Sequence, residues 1–216
     1  MTIIKTPGAA IDLHRIRSCF SGHSPRLLLE GRGDKDLNPD IATAAPLTSA
    51  AVLIPLIERP RGLTVLFTRR TDTLSVHAGQ ISFPGGRVEA VDIAPEDTAL
   101  RETEEEVGLT RDSIDILGRL DDYITRTNFI IAPFVATIKS PFELTLDPRE
   151  VTEAFEVPLT FFLDAANHQR HVRIEHGKER HVYAMPYQDY YIWGITAGML
   201  FNLYEFLGER DIETLC

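Results

Sequence analysis

Between Gly79 and Leu109 the chain reads GQISFPGGRVEAVDIAPEDTALRETEEEVGL, placing a glycine-rich turn directly before a helix loaded with carboxylates. Pro95, Glu96 and Asp97 supply helix-start chemistry. Ala99, Leu100, Val107 and Leu109 recur at roughly helical spacing among charged residues, and Gly108 closes the segment. On such a helix Glu102, Glu105 and Glu106 stand at i, i+3 and i+4 and project from one face. Like charges so placed repel by a few tenths of a kcal/mol per pair, on the order of 0.2–0.5, and a hard divalent cation with oxygen ligands would relieve them. Arg101 is placed to hold Glu102 by a charge-assisted hydrogen bond that fixes its orientation and keeps it ionised. Glu104 points elsewhere, toward solvent. Read alone, RETEEE is an acidic, solvated helix face. The upstream glycines change that reading: Gln80 to Phe83 alternates like a short strand and ends in the tight turn Pro84, Gly85, Gly86, where a backbone carbonyl can join the glutamates around a metal.

These residues resemble the Nudix box, which reads G, five residues, E, seven residues, then REUxEExGU with U a bulky aliphatic. Gly86, Arg101, Glu102, Glu105, Glu106, Gly108 and Leu109 fill it, while Asp92 stands in the first acidic position, eight residues precede Arg101, and Thr103 takes the first aliphatic slot. A narrower resemblance, to the coenzyme A pyrophosphatase branch of the family, extends upstream through Leu66, Thr68, Arg70, Gly79, Ile81 and Phe83, and it accounts for both Asp92 and the longer spacing. Phe67, Thr71, Ser75, Glu89 and Thr103 depart from it, and Ser75 replaces an arginine able to meet a phosphate. The Ile192-Trp193-Gly194 segment followed by Thr196 and Ala197 is also similar to that branch.

The resemblance implies an α/β fold, the Nudix α/β/α sandwich with a central mixed β-sheet, and an enzyme that hydrolyses a phosphoanhydride by water with Mg²⁺ or Mn²⁺. Gly86, Glu102, Glu105 and Glu106 would be the metal site; Arg101, Glu102, Glu105 and Glu150 the catalytic set, with Glu150 or Glu102 as base and Glu153 a second downstream candidate. The implied substrate is coenzyme A or a derivative, cleaved to 3′,5′-ADP and 4′-phosphopantetheine or its acyl form. Two alternatives stand beside it: a Nudix pyrophosphatase for another nucleoside diphosphate derivative (ADP-ribose, a dinucleotide) or a nucleoside triphosphate, and a non-catalytic nucleotide-binding Nudix module.

For substrate contacts, Arg70 at a strand end is the first candidate, with Arg69 beside it. Arg126 follows, in the polar loop Asp121 to Asn128, and His77 is a further candidate; each has an ordinary structural reading as a surface pair or packed loop residue. His168, His171, His176 and His181 lack the compact spacing of a structural zinc site and read as surface residues.

With 216 residues and 44% hydrophobic content, the chain can build one sizeable core. A helix over Ile11 to Phe20 and a polar stretch to Thr48 read as a wrapping arm, so residues 1–48 form an extension and 49–216 the hydrolase domain. Two β-rich runs around the Pro60 to Gly62 turn, a strand over Gly79 to Phe83, strands over Ile114 to Leu120 and Ile130 to Ile138, a hairpin around Gly177 and Lys178, and a closing strand and helix from Tyr191 to Leu207 complete the expectation. The formal charge of −10 argues against general nucleic-acid or anionic-membrane partners, and the partner the resemblance implies is a small molecule with a diphosphate linkage. No apolar run is long enough to span a bilayer and no signal-peptide core precedes the domain. Cys19 and Cys216 are too distant in sequence to argue for a disulfide, and a reducing cytoplasm is the expected compartment. A homodimer is compatible with the resemblance, with the arm available for the contact.

Overall fold

The computed structural model describes residues 11–27, 31–41, 46–72, 79–175 and 177–213; His77, Ser75, His176 and Cys216 lie outside them. Two long strands organise the fold, β2 (Thr48–Arg59) and β8 (Phe129–Ile138), which pair in parallel from Thr48↔Phe129 to Leu56↔Thr137. Their period-two alternation sends side chains to both faces of the sheet. On β2, Ala50, Ile54 and Leu56 enter one buried cluster and Ala51, Leu53 and Ile57 the other; on β8, Ile131 and Val135 oppose Ala132, Phe134 and Ala136. A sheet apolar on both faces has to be covered on both. Helix α2 (Pro95–Val107) covers one face, and α1 (Leu13–Phe20), α3 (Leu159–Phe162) and α4 (Ile195–Glu213) contribute to the core on the other. The result is an α/β sandwich.

Around this pair the sheet is mixed. β3 (Gly62–Arg70) runs antiparallel to β2 and to β9 (Val151–Pro158); β6 (Ile114–Arg119) and β7 (Tyr123–Ile124) run antiparallel to β8, and β1 (Arg32–Gly33) joins β7 in parallel. The loop expected from Asp121 to Asn128 therefore contains a strand. β4 (Ile81–Ser82) is shorter than the Gly79 to Phe83 strand expected. The turn expected at Pro84 to Gly86 is also corrected: Gly85–Arg87 forms β5, antiparallel to the start of β2 with Val52↔Gly85 and Ala51↔Gly86. Gly85 has φ +154, and a Cβ there would sit 2.4 Å from the Ala51 carbonyl oxygen, so only glycine closes this pairing.

A second sheet of β10 (Gln169–Glu175), β11 (Lys178–Tyr187) and β12 (Tyr190–Trp193) is the expected hairpin plus closing strand, packed on α4 through Tyr183, Met185 and Ile192. β10 is its outer edge, with Val172 and Ile174 exposed. Among the described residues no helix is long and apolar enough to cross a membrane.

His168 departs from the surface role expected of it. It is half-buried, its Nε2 lies 2.7 Å from the Phe162 carbonyl oxygen, and its ring meets Tyr204 and Phe201 edge-on. Burial pushes the imidazole below its usual value. The unfolded chain therefore takes up this proton first as acidity increases, so the His168 contribution is fully present above about pH 6.5 and is lost as pH falls below it. Denaturant unfolding across pH should show His168→Gln losing this share of the slope; an unchanged slope would contradict it.

Candidate active site

Local chemistry fixes α2 before any substrate is considered. Asp97 in its first turn accepts the Ala94 and Ile93 amides at 3.0 and 3.2 Å, Pro95 starts it, and the Gly108 amide closes it on the Glu104 carbonyl at 2.9 Å. Thr98, Ala99, Leu100, Thr103 and Val107 form its buried side. Thr103 occupies the aliphatic slot without a buried polar penalty because its hydroxyl donates to the Ala99 carbonyl at 2.6 Å.

The three glutamates occupy graded depths. Side-chain exposure falls from 59% at Glu105 to 16% at Glu102 and 3% at Glu106, which places Glu106 on the buried side of the helix. Burial pushes its carboxyl up to about 8, Glu102 and Glu150 push the same way, and Arg70 and the Gly85 amide oppose them. Arg70 reaches Glu106 only at 3.7 Å, and among the described residues Glu106 Oε2 has no hydrogen-bond partner. A buried carboxylate oxygen left without a donor is costly, and a cation beside it would remove that cost.

Arg101 organises the next carboxylates, although its strongest partner is not the expected Glu102. Its Nε and Nη2 each donate to Asp92 at 3.0 Å in a bidentate pair, while Nη1 donates to Glu102 at 2.8 Å and to Glu105 at 3.3 Å. Asp92 is held in turn by the Thr98 hydroxyl at 2.8 Å and the Glu89 amide at 2.9 Å. Arg101 accordingly holds the Asp92 carboxyl far below the usual carboxylate range. Glu102 differs from the expectation that Arg101 simply keeps it ionised: burial pushes its carboxyl up, and Arg101 only opposes that shift. Its carboxylate lies against Gly86, where a Cβ would come within 2.4 Å of it.

Glu150, in the turn before β9, is half-exposed and lies 3.9 Å from Arg70 Nη2. Arg70 thus stands between two carboxylates of the cluster. Glu153 is engaged elsewhere, accepting the Tyr190 hydroxyl at 2.5 Å and pairing with Arg69 at 3.4 Å. Arg126 is not brought to the cluster, because its guanidinium pairs with Glu175 and its amide donates to Asp34 at 3.0 Å. His77 lies outside the described residues.

Among the described residues no three His, Cys, Asp or Glu side chains converge into a preformed metal cage. The donor chemistry nevertheless fits a hard divalent cation: Glu102, Glu105 and Glu106 offer carboxylate oxygens, one of them buried and unpartnered. Sequence reasoning noticed Asp92 only as a departure, and neither its bond to Arg101 nor the depth of Glu106 was derived from it. The nine-residue offset between Asp92 and Arg101 was visible, but the loop shape that joins them was not.

A mixed sandwich with a carboxylate helix facing a glycine strand defines a class. The NUDIX domain family model matches residues 47–176. The chain is 38% identical over 154 residues to the uncharacterized Nudix hydrolase NudL of Photorhabdus laumondii subsp. laumondii, covering 71% of this chain and 82% of that protein. It is 35% identical over 175 residues to the NudL of Pectobacterium atrosepticum, covering 81% and 90%. Among solved structures, the MutT protein from Methanosarcina mazei Go1 has a TM-score of 0.46 at 20% identity, covering 79% of this chain and 99% of that one. The chain belongs to the Nudix hydrolase family, whose members generally use divalent metal ions such as Mg²⁺.

Asp92→Asn keeps the shape of the Arg101 partner and removes its charge. It should lower stability by about 1.5–3 kcal/mol, the range for hydrogen bonds to charged groups, and reduce turnover together with it. Chemical denaturation and steady-state kinetics check both; wild-type values for the two would show that Asp92 does not brace Arg101.

Proposed function

We propose that this Nudix hydrolase cleaves the diphosphate linkage of coenzyme A or one of its derivatives, with water as the nucleophile, releasing 3′,5′-ADP and 4′-phosphopantetheine or its acylated form. Arg70 carries the reading. It occupies the signature arginine of the coenzyme A branch, and its guanidinium stands between Glu106 and Glu150, where an anionic diphosphate drawn to the carboxylate site through cations would meet a fixed positive charge. The match of this chain to the branch continues through Gly79, Ile81 and Phe83 into Gly86.

In this reading Glu102, Glu105 and Glu106, with Gly86 beside them, hold Mg²⁺ or Mn²⁺, which when bound neutralises diphosphate charge and lowers the pKa of coordinated water. Arg101, locked by Asp92, sets the direction of the Glu102 carboxylate. Glu150 is the first choice of base: it is half-exposed, close to Arg70 and free to accept the proton of attacking water, a role worth roughly 10²–10⁴-fold. Glu102 is the second. Arg70 binds a substrate phosphate oxygen.

Chromatographic product analysis with coenzyme A, ADP-ribose, NADH and a nucleoside triphosphate, each with Mg²⁺, Mn²⁺ or chelator, tests the substrate. Metal-dependent release of 3′,5′-ADP from coenzyme A, well above the other turnovers, is expected. Preference for another compound would transfer the site to another nucleoside diphosphate, and binding without turnover would favour a non-catalytic module. Glu106→Gln is nearly isosteric and should fold while losing about 100-fold or more in turnover, since even residues supporting a metal ligand cost 10–100-fold. A near-wild-type rate at saturating Mg²⁺ would remove Glu106 from the metal set.

A further inference from the structure

The single tryptophan of the chain, Trp193, is half-buried on the small sheet and is not part of the buried core. Strand alternation explains this: Ile192 points into the core and is fully buried, so Tyr191 and Trp193 face the other way. Their rings are within 28° of parallel with centroids 6.3 Å apart. His171 lies within 25° of the Tyr191 ring plane, with Nδ1 2.6 Å from the tyrosine hydroxyl oxygen. Arg173 lies over the indole, its guanidinium carbon 4.1 Å from the ring centroid. Among the described residues Arg173 makes no ion pair, so an anion arriving at this shelf would not have to break one.

The shelf joins the active site through a short chain of bonds. Trp193 is three residues before Thr196, whose hydroxyl donates to the Ile81 carbonyl at 3.0 Å. The neighbouring Gln80 carbonyl accepts the Arg70 amide at 2.9 Å. From Arg70 the guanidinium reaches Glu106 and Glu150. Two hydrogen bonds, a few residues of chain and the ion contacts of Arg70 therefore connect the aromatic surface to the carboxylate cluster.

We propose that Tyr191 and Trp193 form the stacking site for the purine ring of the nucleotide half of the substrate, and that Arg173 pairs with a phosphate on the ribose of that half. The ring part needs only an adenine nucleotide; the ribose phosphate rests on the coenzyme A reading, because 3′,5′-ADP carries a 3′-phosphate that 5′-ADP lacks. A sequence-tolerant aromatic surface suits a purine π-face, and a guanidinium lying on the indole, with no ion pair among the described residues, suits a phosphate.

Trp193 reports on its own site. Titration of the intact protein with 3′,5′-ADP, 5′-ADP and inorganic phosphate, read by tryptophan emission, is expected to give saturable quenching by both nucleotides and none by phosphate. The 3′-phosphorylated form should bind about tenfold more tightly, the discrimination of one good charged contact. Arg173→Gln should erase that preference, and Tyr191→Ala should weaken both nucleotides by about tenfold. With coenzyme A as substrate both exposed-site variants should raise KM about tenfold and leave kcat within about twofold, a split that a general loss of structure would not produce. Absence of saturable quenching, or variants with unchanged KM, would overturn the site. Equal binding of the two nucleotides in the wild type would overturn the role of Arg173. Failure of the coenzyme A reading is visible separately: no 3′,5′-ADP is released from coenzyme A, while adenine-nucleotide quenching and its loss in Tyr191→Ala persist and support the stacking site.

Discussion

The Asp92–Arg101 pair is the fastening on which the active site depends. Asp92 sits in the loop between β5 and α2, and Arg101 sits two turns along the helix. Joining them ties the glycine strand to the helix and leaves one guanidinium nitrogen free to hold Glu102 and Glu105. A planar guanidinium fixes two partners at defined angles where a flexible ammonium would fix neither. The carboxylate that must be aimed is thereby aimed by a group that is itself immobilised, and the Thr98 hydroxyl and Glu89 amide immobilise Asp92 in turn. The same inward Asp92 leaves its neighbours Val91 and Ile93 exposed to solvent.

Depth separates the roles of the glutamates more than position along the helix does. Glu105 is in water, where charge is inexpensive. Glu106 is nearly sealed, and its carboxyl is driven toward neutrality by the lack of solvent and by neighbouring acids. Such a group is poorly suited to isolation and well suited to a site completed by a cation. The close approach of Gly86 to Glu102 keeps the opposite wall free of side chain. Taken together, the helix, the glycine strand and Arg70 present negative oxygens with two guanidinium groups, Arg70 and Arg101, among them, an arrangement for an anionic ligand accompanied by metal.

Elements specified by nearby residues were legible in the sequence. The carboxylate helix announced itself through Pro95, Asp97 and Gly108, and the second hairpin through the alternation on either side of Gly177. Features that depend on distant pairing were not. Pro84 to Gly86 read as a turn because glycines usually mark one, and only the approach of Ala51 and Val52 makes Gly85–Arg87 a strand. Tyr123 and Ile124 likewise become β7 by pairing with β8. Glu102, Glu105 and Glu106 were correctly seen as neighbours on a helix, but helical periodicity reports direction around an axis, not how closely the sheet covers each side chain. Arg126 looked available in sequence because its partner Glu175 lies 49 residues away.

The outer edge of the small sheet has a bearing on colloidal behaviour. β10 offers unpaired backbone groups along one side and exposes Val172 and Ile174, the ingredients of unwanted strand addition between molecules. Arg170, Arg173 and Glu175 are interleaved with those two apolar residues. The cost of stripping water from these charges opposes sheet extension, so they help a surface with exposed apolar side chains stay dispersed at high concentration.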